Sequence, residues 1–246
     1  IFALLGPSGC GKTTTLRLIA GFERGDLGEI YLESQLVESP SIHVPPESRG
    51  IGFVFQDYAL FPHLNVLDNV AFGLKELSAK ARRERALEGL EMVGLIAFKD
   101  RRPHDLSGGE QQRVALARSI APGPKLILLD EPFSNLDAGL RQATREEVRR
   151  LLKDVGMSAV LVTHDQEEAL GFADRLAVMT KGGLEQTGTP EQVYHRPKTP
   201  FVANFLGKTN LIPGEAQGDC AETVLGKFEL DCHARGKVLL SIRPEH

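Results

Sequence analysis

The apolar run Ile1-Phe2-Ala3-Leu4-Leu5 passes without a break into Gly6-Pro7-Ser8-Gly9-Cys10-Gly11-Lys12-Thr13, and a helical pattern, Thr13–Ala20, follows at once. Strand, glycine-rich turn and helix start in that order constrain the fold more than any other segment. Gly6 and Gly11 flank four residues and precede Lys-Thr, which completes a phosphate-loop pattern in its proper context. Glycines let successive backbone N–H groups turn inward, and the helix dipole adds partial positive charge where phosphates sit. Lys12 is expected to reach the β- and γ-phosphates of a nucleotide, and Thr13 to give its hydroxyl to Mg2+. Pro7, Ser8, Gly9, Cys10 and Thr14 make up the rest of the cradle. A bare glycine turn is the structural alternative, set aside by the complete match in context.

Other apolar runs also lack alternation, as strands buried on both faces of a parallel sheet do. They lie at 51–55, 126–130 and 159–163. A further run at 175–179, followed by Lys-Gly-Gly and Leu-Glu-Gln-Thr-Gly, predicts a hairpin. Ala138–Val155 sets Val148, Leu151, Leu152 and Val155 on one helical face, and a second helix is expected over Asp165–Phe172. Strand and helix in alternation imply a doubly wound α/β core over 1–56 and 106–190. Residues 57–105 break the rhythm with helices at Val66–Gly73 and Ser78–Val93, a helical insertion whose mixed charges read as a solvated face. After Thr189-Pro190, the residues Pro197, Pro200, Pro213 and Gly214 punctuate a linker, 191–212. Strand-like runs at 222–230 and 237–243 then predict a small, partial, OB-like β-domain over 213–246.

A length of 246 residues fits one large domain or a domain plus an appendage. The net charge of −4 and pI near 6.0 argue against nucleic acid held on a basic face. No apolar stretch reaches the ~18 residues that span a bilayer, so any membrane role is expected to be peripheral. Cys10, Cys220 and Cys232 do not form a disulfide framework, and Cys232-His233 with Cys220 lacks the second close pair of a metal site. A reducing cytosol fits this usage. No signal peptide is expected. Ile1 opens inside a central strand, so a longer natural N-terminus is expected.

Asp130 ends the run Leu126-Ile127-Leu128-Leu129, at the sheet edge where the phosphate loop also lies. It is expected to hold Mg2+ through water, and Glu131 to polarise the attacking water. An isolated Asp-Glu pair would read as a strand-end loop; the preceding strand and Lys12-Thr13 favour catalysis. Ser107-Gly108-Gly109-Glu110 is a capping box for a helix over Glu110–Ile120. Capping does not ask for two glycines, which free backbone N–H groups for a second anion site.

Phosphate loop, Leu106-Ser107-Gly108-Gly109-Glu110 and the strand ending in Asp130-Glu131, in this order, resemble the ATP-binding cassette ATPases. The resemblance covers roughly residues 1–205, with five motifs in sequence. It implies a P-loop NTPase core with a mixed sheet, binding ATP and Mg2+. It implies that the helix opened by Ser107, Gly108, Gly109 and Glu110 faces the γ-phosphate held by the other subunit of a homodimer. By the same resemblance Gln56 touches Mg2+ and the attacking water, His164 contacts the γ-phosphate, and Ser134-Asn135-Leu136-Asp137 crosses between subunits with Asp137 its principal polar member. His63 and His104 are given structural or interface roles.

The run Phe61–Leu74 and the closing Ile-Arg-Pro-Glu are similar to the bacterial importers of the maltose, spermidine/putrescine and ferric-iron group. Val44-Pro45-Pro46-Glu47 leans toward the ferric-iron branch. Integral membrane permease subunits and, indirectly, a solute-binding protein are the implied partners, with the chain peripheral at the cytoplasmic face of the inner membrane. The aromatic residue that stacks on adenine in this family would precede Ile1, so none is assigned. A soluble, nucleic-acid-related cassette ATPase is the alternative. Tandem cassettes or a coiled-coil insertion would announce one, and neither is present here.

Overall fold

Ala3 and Leu5 face one side of a sheet and Leu4 the other, and all three are buried. The same division runs through Ile127 and Leu129 against Leu128, and through Leu161 against Val162. Both faces of each strand are thus covered, which is why these runs carry no polar alternation. The computed structural model describes residues 1–244, apart from the side chains of Ala138 and Asp231. Glu245 and His246, which end the β-domain expected at 213–246 and its Ile-Arg-Pro-Glu run, lie outside the described residues.

The strands are β1 (Phe2–Leu5), β2 (Ile30–Leu32), β3 (Gln35–Glu38), β4 (Ile51–Val54), β5 (Leu126–Asp130), β6 (Ser158–Thr163), β7 (Arg175–Thr180), β8 (Gly183–Gly188), β9 (Asn210–Thr223) and β10 (Gly226–Ile242). The helices are α1 (Lys12–Ala20), α2 (Val66–Ala71), α3 (Ala79–Met92), α4 (Gly108–Ile120), α5 (Ala138–Asp154), α6 (Gln166–Phe172), α7 (Pro190–His195) and α8 (Pro200–Phe205). The main sheet has the order β4-β5-β6-β1-β7-β8, parallel except for the β7–β8 hairpin. Helix α1 packs on β5 and β6, and α6 on β1 and β6. The ends of β1, β5 and β6 are therefore neighbours at the sheet's C-terminal edge, where ligands of such sheets bind.

Helices α2 and α3 lie between β4 and β5 in the chain, and α4 packs on both of them as well as on β4 and α5. The helical cluster thus reaches into the core segment, because Val114, Ala115, Leu116 and Ala117 are buried around most of α4. Buried Asn69 fixes the loop before α2. Its amide donates to the carbonyls of Phe61, Leu64 and Asn65, and its oxygen accepts from Phe61 N–H at 2.8 Å.

The β2–β3 arm has no counterpart in the sequence reading, since strands this short show no period. Arg49, just after it, ties the arm to α1. Its guanidinium donates to the carbonyls of Leu18 and Ile19 at the end of α1, to Val37, and to Glu38 Oε2 at 2.6 Å. Burial opposes ionisation of Glu38, yet the bonds from Arg49, His43 and the Gly25 N–H outweigh it and hold the carboxyl below its usual range.

The segment 191–212, read as a linker, carries most of α7 and all of α8. Thr189 and Thr199 cap these helices, their hydroxyls accepting from Gln192 and Val202 N–H. Pro190 and Pro200 open the first turns, where a missing N–H is harmless, so prolines that look like breakers are starters. The two runs at 222–230 and 237–243 belong to one antiparallel hairpin, β9–β10, longer than periodicity implies, with a register shift between Glu229 and Ala234. Ala216, Ala221 and Leu240 form its small core.

Candidate active site

Gly6 needs its missing side chain: a Cβ there would strike the Met179 carbonyl and lie 2.7 Å from Cys10 Sγ. Gly11 caps α1 at φ 102°, a left-handed conformation that glycine adopts freely. Between them the loop turns back on itself, Cys10 N–H donating to Pro7 O, while Gly182 N–H from the β7–β8 turn holds Cys10 O. Cys10 and Lys12 are buried; Ser8, Gly9 and Thr14 are exposed. Lys12 Nζ donates to Gly6 O at 2.7 Å and Pro7 O at 3.0 Å, so its ammonium is folded over the cradle rather than stretched into solvent.

Thr13 Oγ1 donates to Asp130 Oδ1 at 3.2 Å, joining the first turn of α1 to the end of β5. A hydroxyl and a carboxylate oxygen side by side are the hard donors that Mg2+ takes. Gln56 is exposed, two residues beyond the end of neighbouring β4. Among the described residues no group of three or more His, Cys, Asp and Glu could hold a metal ion. A site with one carboxylate suits Mg2+, which shares its ligands with phosphates rather than filling an all-protein cage. Burial pushes the Asp130 carboxyl above its usual range, the Thr13 bond opposes this, and the Glu131 charge adds to it.

Glu131 has a left-handed φ of 44°. Its N–H donates to Val162 O, and the hydroxyl and N–H of Ser134 both donate to its carbonyl. The turn so fixed sends Glu131 Oε2 to 3.1 Å from Nδ1 of His164, the first residue after β6. The predicted acids and histidine are therefore brought together with Lys12 and Thr13 at one sheet edge.

Arg118, which sequence reasoning passed over, and Asn135, read only as part of the loop that crosses between subunits, hold Gln56 and the loop after it. Arg118 of α4 donates to Ala59 O at 2.6 Å and Tyr58 O at 2.8 Å, and both of those residues have left-handed φ, 61° at Tyr58 and 45° at Ala59. Asn135 Nδ2 donates to Gln56 O at 2.8 Å, which links the Ser134–Asp137 loop to Gln56 within one chain. Asp137 is exposed and stands at the N-cap of α5 without a side-chain capping bond.

The segment at 107–110 does two jobs. The capping box is formed, with Ser107 N–H and Oγ donating to Glu110 Oε2 at 2.7 Å and 2.8 Å and Ser107 Oγ accepting from Glu110 N–H. These bonds hold the Glu110 carboxyl below its usual range. The glycines also serve packing: a Cβ at Gly108 would come 3.2 Å from Leu136 Cδ2, and one at Gly109 3.3 Å from Thr144 Oγ1. The helix starts two residues earlier than its apolar pattern suggested, at Gly108. Helix α4 packs on α2, α3, α5 and β4, while α1 packs on β5 and β6.

A P-loop NTPase fold with a helical cluster between β4 and β5 is the class that fold and site define. A profile of the family described as ABC transporter matches residues 1–134. A spermidine/putrescine import ATP-binding protein, PotA, from a Nostoc species is 54% identical over 216 residues, 87% of this chain and 56% of the relative. An Fe(3+) ions import ATP-binding protein, FbpC, from Mesorhizobium japonicum is 50% identical over 245 residues, 99% of this chain and 68% of the relative. Among solved structures, cbiO1 from Clostridium perfringens, part of the ABC transporter complex cbiONQ, superposes with a TM-score of 0.72 at 29% identity, over 79% of each chain. A dimeric ATP-binding cassette in a post-hydrolysis state, bound to ADP and Pi, gives 0.66 at 34% identity, over 77% of this chain and 85% of its own. The chain belongs to the ABC transporter family. It spans little more than half the length of the PotA relative, at 56%.

Proposed function

We propose that this chain binds and hydrolyses Mg2+-ATP as the nucleotide-binding subunit of an importer. It works as a homodimer, peripheral to the cytoplasmic face of the inner membrane, and drives separate integral permease subunits. The observation that carries the reading is the Thr13–Asp130 hydrogen bond with Glu131 and His164 beside it. Phosphate-binding, metal-binding and water-activating groups then share one strand edge.

The chemistry follows from those positions. Lys12 exchanges its bonds to Gly6 O and Pro7 O for phosphate oxygens and neutralises charge as it builds on them. Thr13, Gln56 and Asp130 would hold Mg2+, which would supply neutralisation of the phosphates' charge. Glu131 orients water and accepts its proton, and His164 steadies that carboxylate and meets the γ-phosphate. Ser107, Gly108, Gly109 and Glu110 of a second copy complete the site, with Asp137 at the crossing. The packing of α4 on α2, α3, α5 and β4, rather than on the strands β5 and β6 that carry α1, supports this. The relative solved as a dimer with ADP and Pi supports it as well.

A groove of about 360 Å³ lies between edge strand β4 and the helical cluster, lined by Phe53, Phe55, Ala59, Phe61, Phe72 and Arg118. It joins the loop after Gln56 to the insertion, and we assign it to a permease helix. Among the described residues no helix is long and apolar enough to cross a membrane, so the reading calls for a separate membrane partner. Ferric iron is the proposed cargo and a polyamine or sugar the second, in keeping with the relatives named for Fe(3+) and for spermidine/putrescine import.

Phosphate release from Mg2+-ATP by the purified chain, and its loss in Glu131→Gln with nucleotide binding kept, tests the enzyme. Absence of release from the unaltered protein would overturn it. Tagging the protein in its native host and identifying what co-purifies from solubilised membranes tests the importer. Recovery with nucleic acid and no integral membrane protein would move the assignment to the non-transport ATPases.

A further inference from the structure

Helix α6 begins two residues after His164 and carries in its first turn a carboxyl that the reaction above leaves unused. Glu168 is 3% exposed. Its Oε2 accepts the Thr163 hydroxyl at 2.7 Å, while its buried Oε1 has no hydrogen-bond partner among the described residues. With its own proton directed at Glu168, the Thr163 oxygen accepts the Asp165 N–H at 3.0 Å. The Asp165 carboxylate then accepts the Glu168 N–H, also at 3.0 Å. These bonds close a ring through residues 163, 165 and 168, and His164 is the residue the ring encloses in the chain. A buried carboxyl with one oxygen unsatisfied costs stability that an alanine at the same place would not. Capping α6 needs only Asp165. What Glu168 adds is a fixed Thr163 hydroxyl, and through it a fixed peptide between His164 and Asp165.

We propose that Glu168 is a positioning residue for hydrolysis, holding through Thr163 and the Asp165 N–H the turn that presents His164 to Glu131 and the γ-phosphate. The proposal rests on the ATPase reading above.

The same carboxyl changes state near neutrality. Burial pushes it up to about 7, with the Thr163 bond and the Arg145 charge opposing and the Asp165 and Glu131 charges adding. The charged groups facing it are Asp165 at its own helix start, Arg145 on α5 and Glu131 beyond β5. Strand β1 and helix α7 also pack against α6. Loss of its proton puts a charge between Asp165 and Glu131, beside the turn it holds. The ring thus gives the position of His164 a dependence on pH that a neutral amide in place of Glu168 would not.

The test compares Glu168→Ala, Glu168→Gln, Thr163→Val and the double variant Glu168→Ala/Thr163→Val, across pH of about 5.5 to 8.5, with kcat and KM for ATP. Glu168→Ala and Thr163→Val are each expected to lower kcat about tenfold with KM changed less than about twofold, and the double variant to be no worse than either. Glu168→Gln, which can still accept from Thr163, is expected to recover most of kcat and to lose the inflection near pH 7. A role in packing alone would lower Tm and leave kcat and the pH profile of the folded variants unaltered, and that result overturns the proposal. If the unaltered chain released no phosphate, the ATPase reading would fail by itself, and the Asp165 amide resonance would then decide. It should move with pH near neutrality in the unaltered chain and stay flat in Glu168→Gln and Thr163→Val. A flat resonance in the unaltered chain sinks the idea.

Discussion

His164 Nδ1 stands 3.1 Å from Glu131 Oε2, joining the ends of the adjacent strands β6 and β5. Glu131 reaches that position from a left-handed backbone, φ 44°, held by Val162 O on one side and by Ser134 on the other. The conformation aims the carboxylate across the strand end, and it is one that a residue with a Cβ adopts at a cost of roughly 1–3 kcal/mol.

Glu131→Gly should therefore stabilise the fold while it destroys turnover. We expect a gain of about 1 kcal/mol, or about 2–4 °C in Tm for a chain of this size. Glu131→Gln should leave Tm unchanged and still lower phosphate release by about a hundredfold or more. Thermal unfolding of the two variants beside an activity assay checks both. Equal melting temperatures would show that the left-handed turn is unstrained.

The glycines at 108 and 109 have packing reasons to be small, which sets up a sharper question about their second role. Gly109→Ala gains up to about 1 kcal/mol of helix propensity against crowding of Thr144 Oγ1. Its Tm should stay within about 2 °C of the parent. In a Glu131→Gln background, ATP-dependent dimerisation should weaken by about tenfold or more, a coupling of ~1.4 kcal/mol. Sedimentation with and without Mg2+-ATP reads this directly. Unchanged dimerisation would reduce both glycines to packing.

Much of this architecture was legible because its causes are local. Buried parallel strands show as unbroken apolar runs, and the phosphate loop shows as glycines before Lys12-Thr13. The hairpin at 175–188 was announced by Lys181-Gly182-Gly183. What escaped has non-local causes. Nothing near Arg118 in the sequence says that its guanidinium will meet the carbonyls of Tyr58 and Ala59, some sixty residues earlier. The left-handed backbones at Tyr58, Ala59 and Glu131 are imposed by such partners and not by residue type. Helices α7 and α8 are a different case. Thr189-Pro190 and Thr199-Pro200 were visible start signals, outvoted by a count of prolines. Thr163 and Glu168 are likewise ordinary in sequence, and only the fold turns them toward each other.

Arg118 supplies a test of how the helical cluster grips the loop after Gln56. Arg118→Ala leaves two carbonyls without their donor and removes a cation stacked 5.5 Å from the Phe61 ring centre. We expect a loss of about 1–3 kcal/mol in denaturant unfolding. Arg118→Lys keeps the charge but not the two-pronged geometry, and should recover less than half of that. Limited proteolysis should find residues 57–65 cut faster in both variants. A lysine variant as stable as the parent would mean that charge alone suffices.

Glu168 makes the stability of the fold itself depend on pH, with a sign opposite to that of Glu38. Its carboxyl is raised from an ordinary 4.5 to about 7, so between those values the folded chain holds a proton that the unfolded chain has released. Stabilisation by the neutral carboxyl is complete below 4.5 and is lost as pH rises through 7. Above that the fold carries a buried charge, at a cost of at most about 3 kcal/mol. Glu38, held below its ordinary range by Arg49 and His43, contributes stability that is present at neutral pH and lost as acid protonates it. Substituting Glu168 by glutamine removes the first dependence and leaves the second. Relative to the parent, Glu168→Gln should thus gain stability steadily from pH about 5 to pH about 8, approaching 3 kcal/mol at the alkaline end. Urea unfolding of both proteins at a series of pH values measures the difference. If it stayed constant across that range, Glu168 would titrate as an ordinary carboxyl, and the buried, half-partnered acid behind His164 would have to be relieved by solvent.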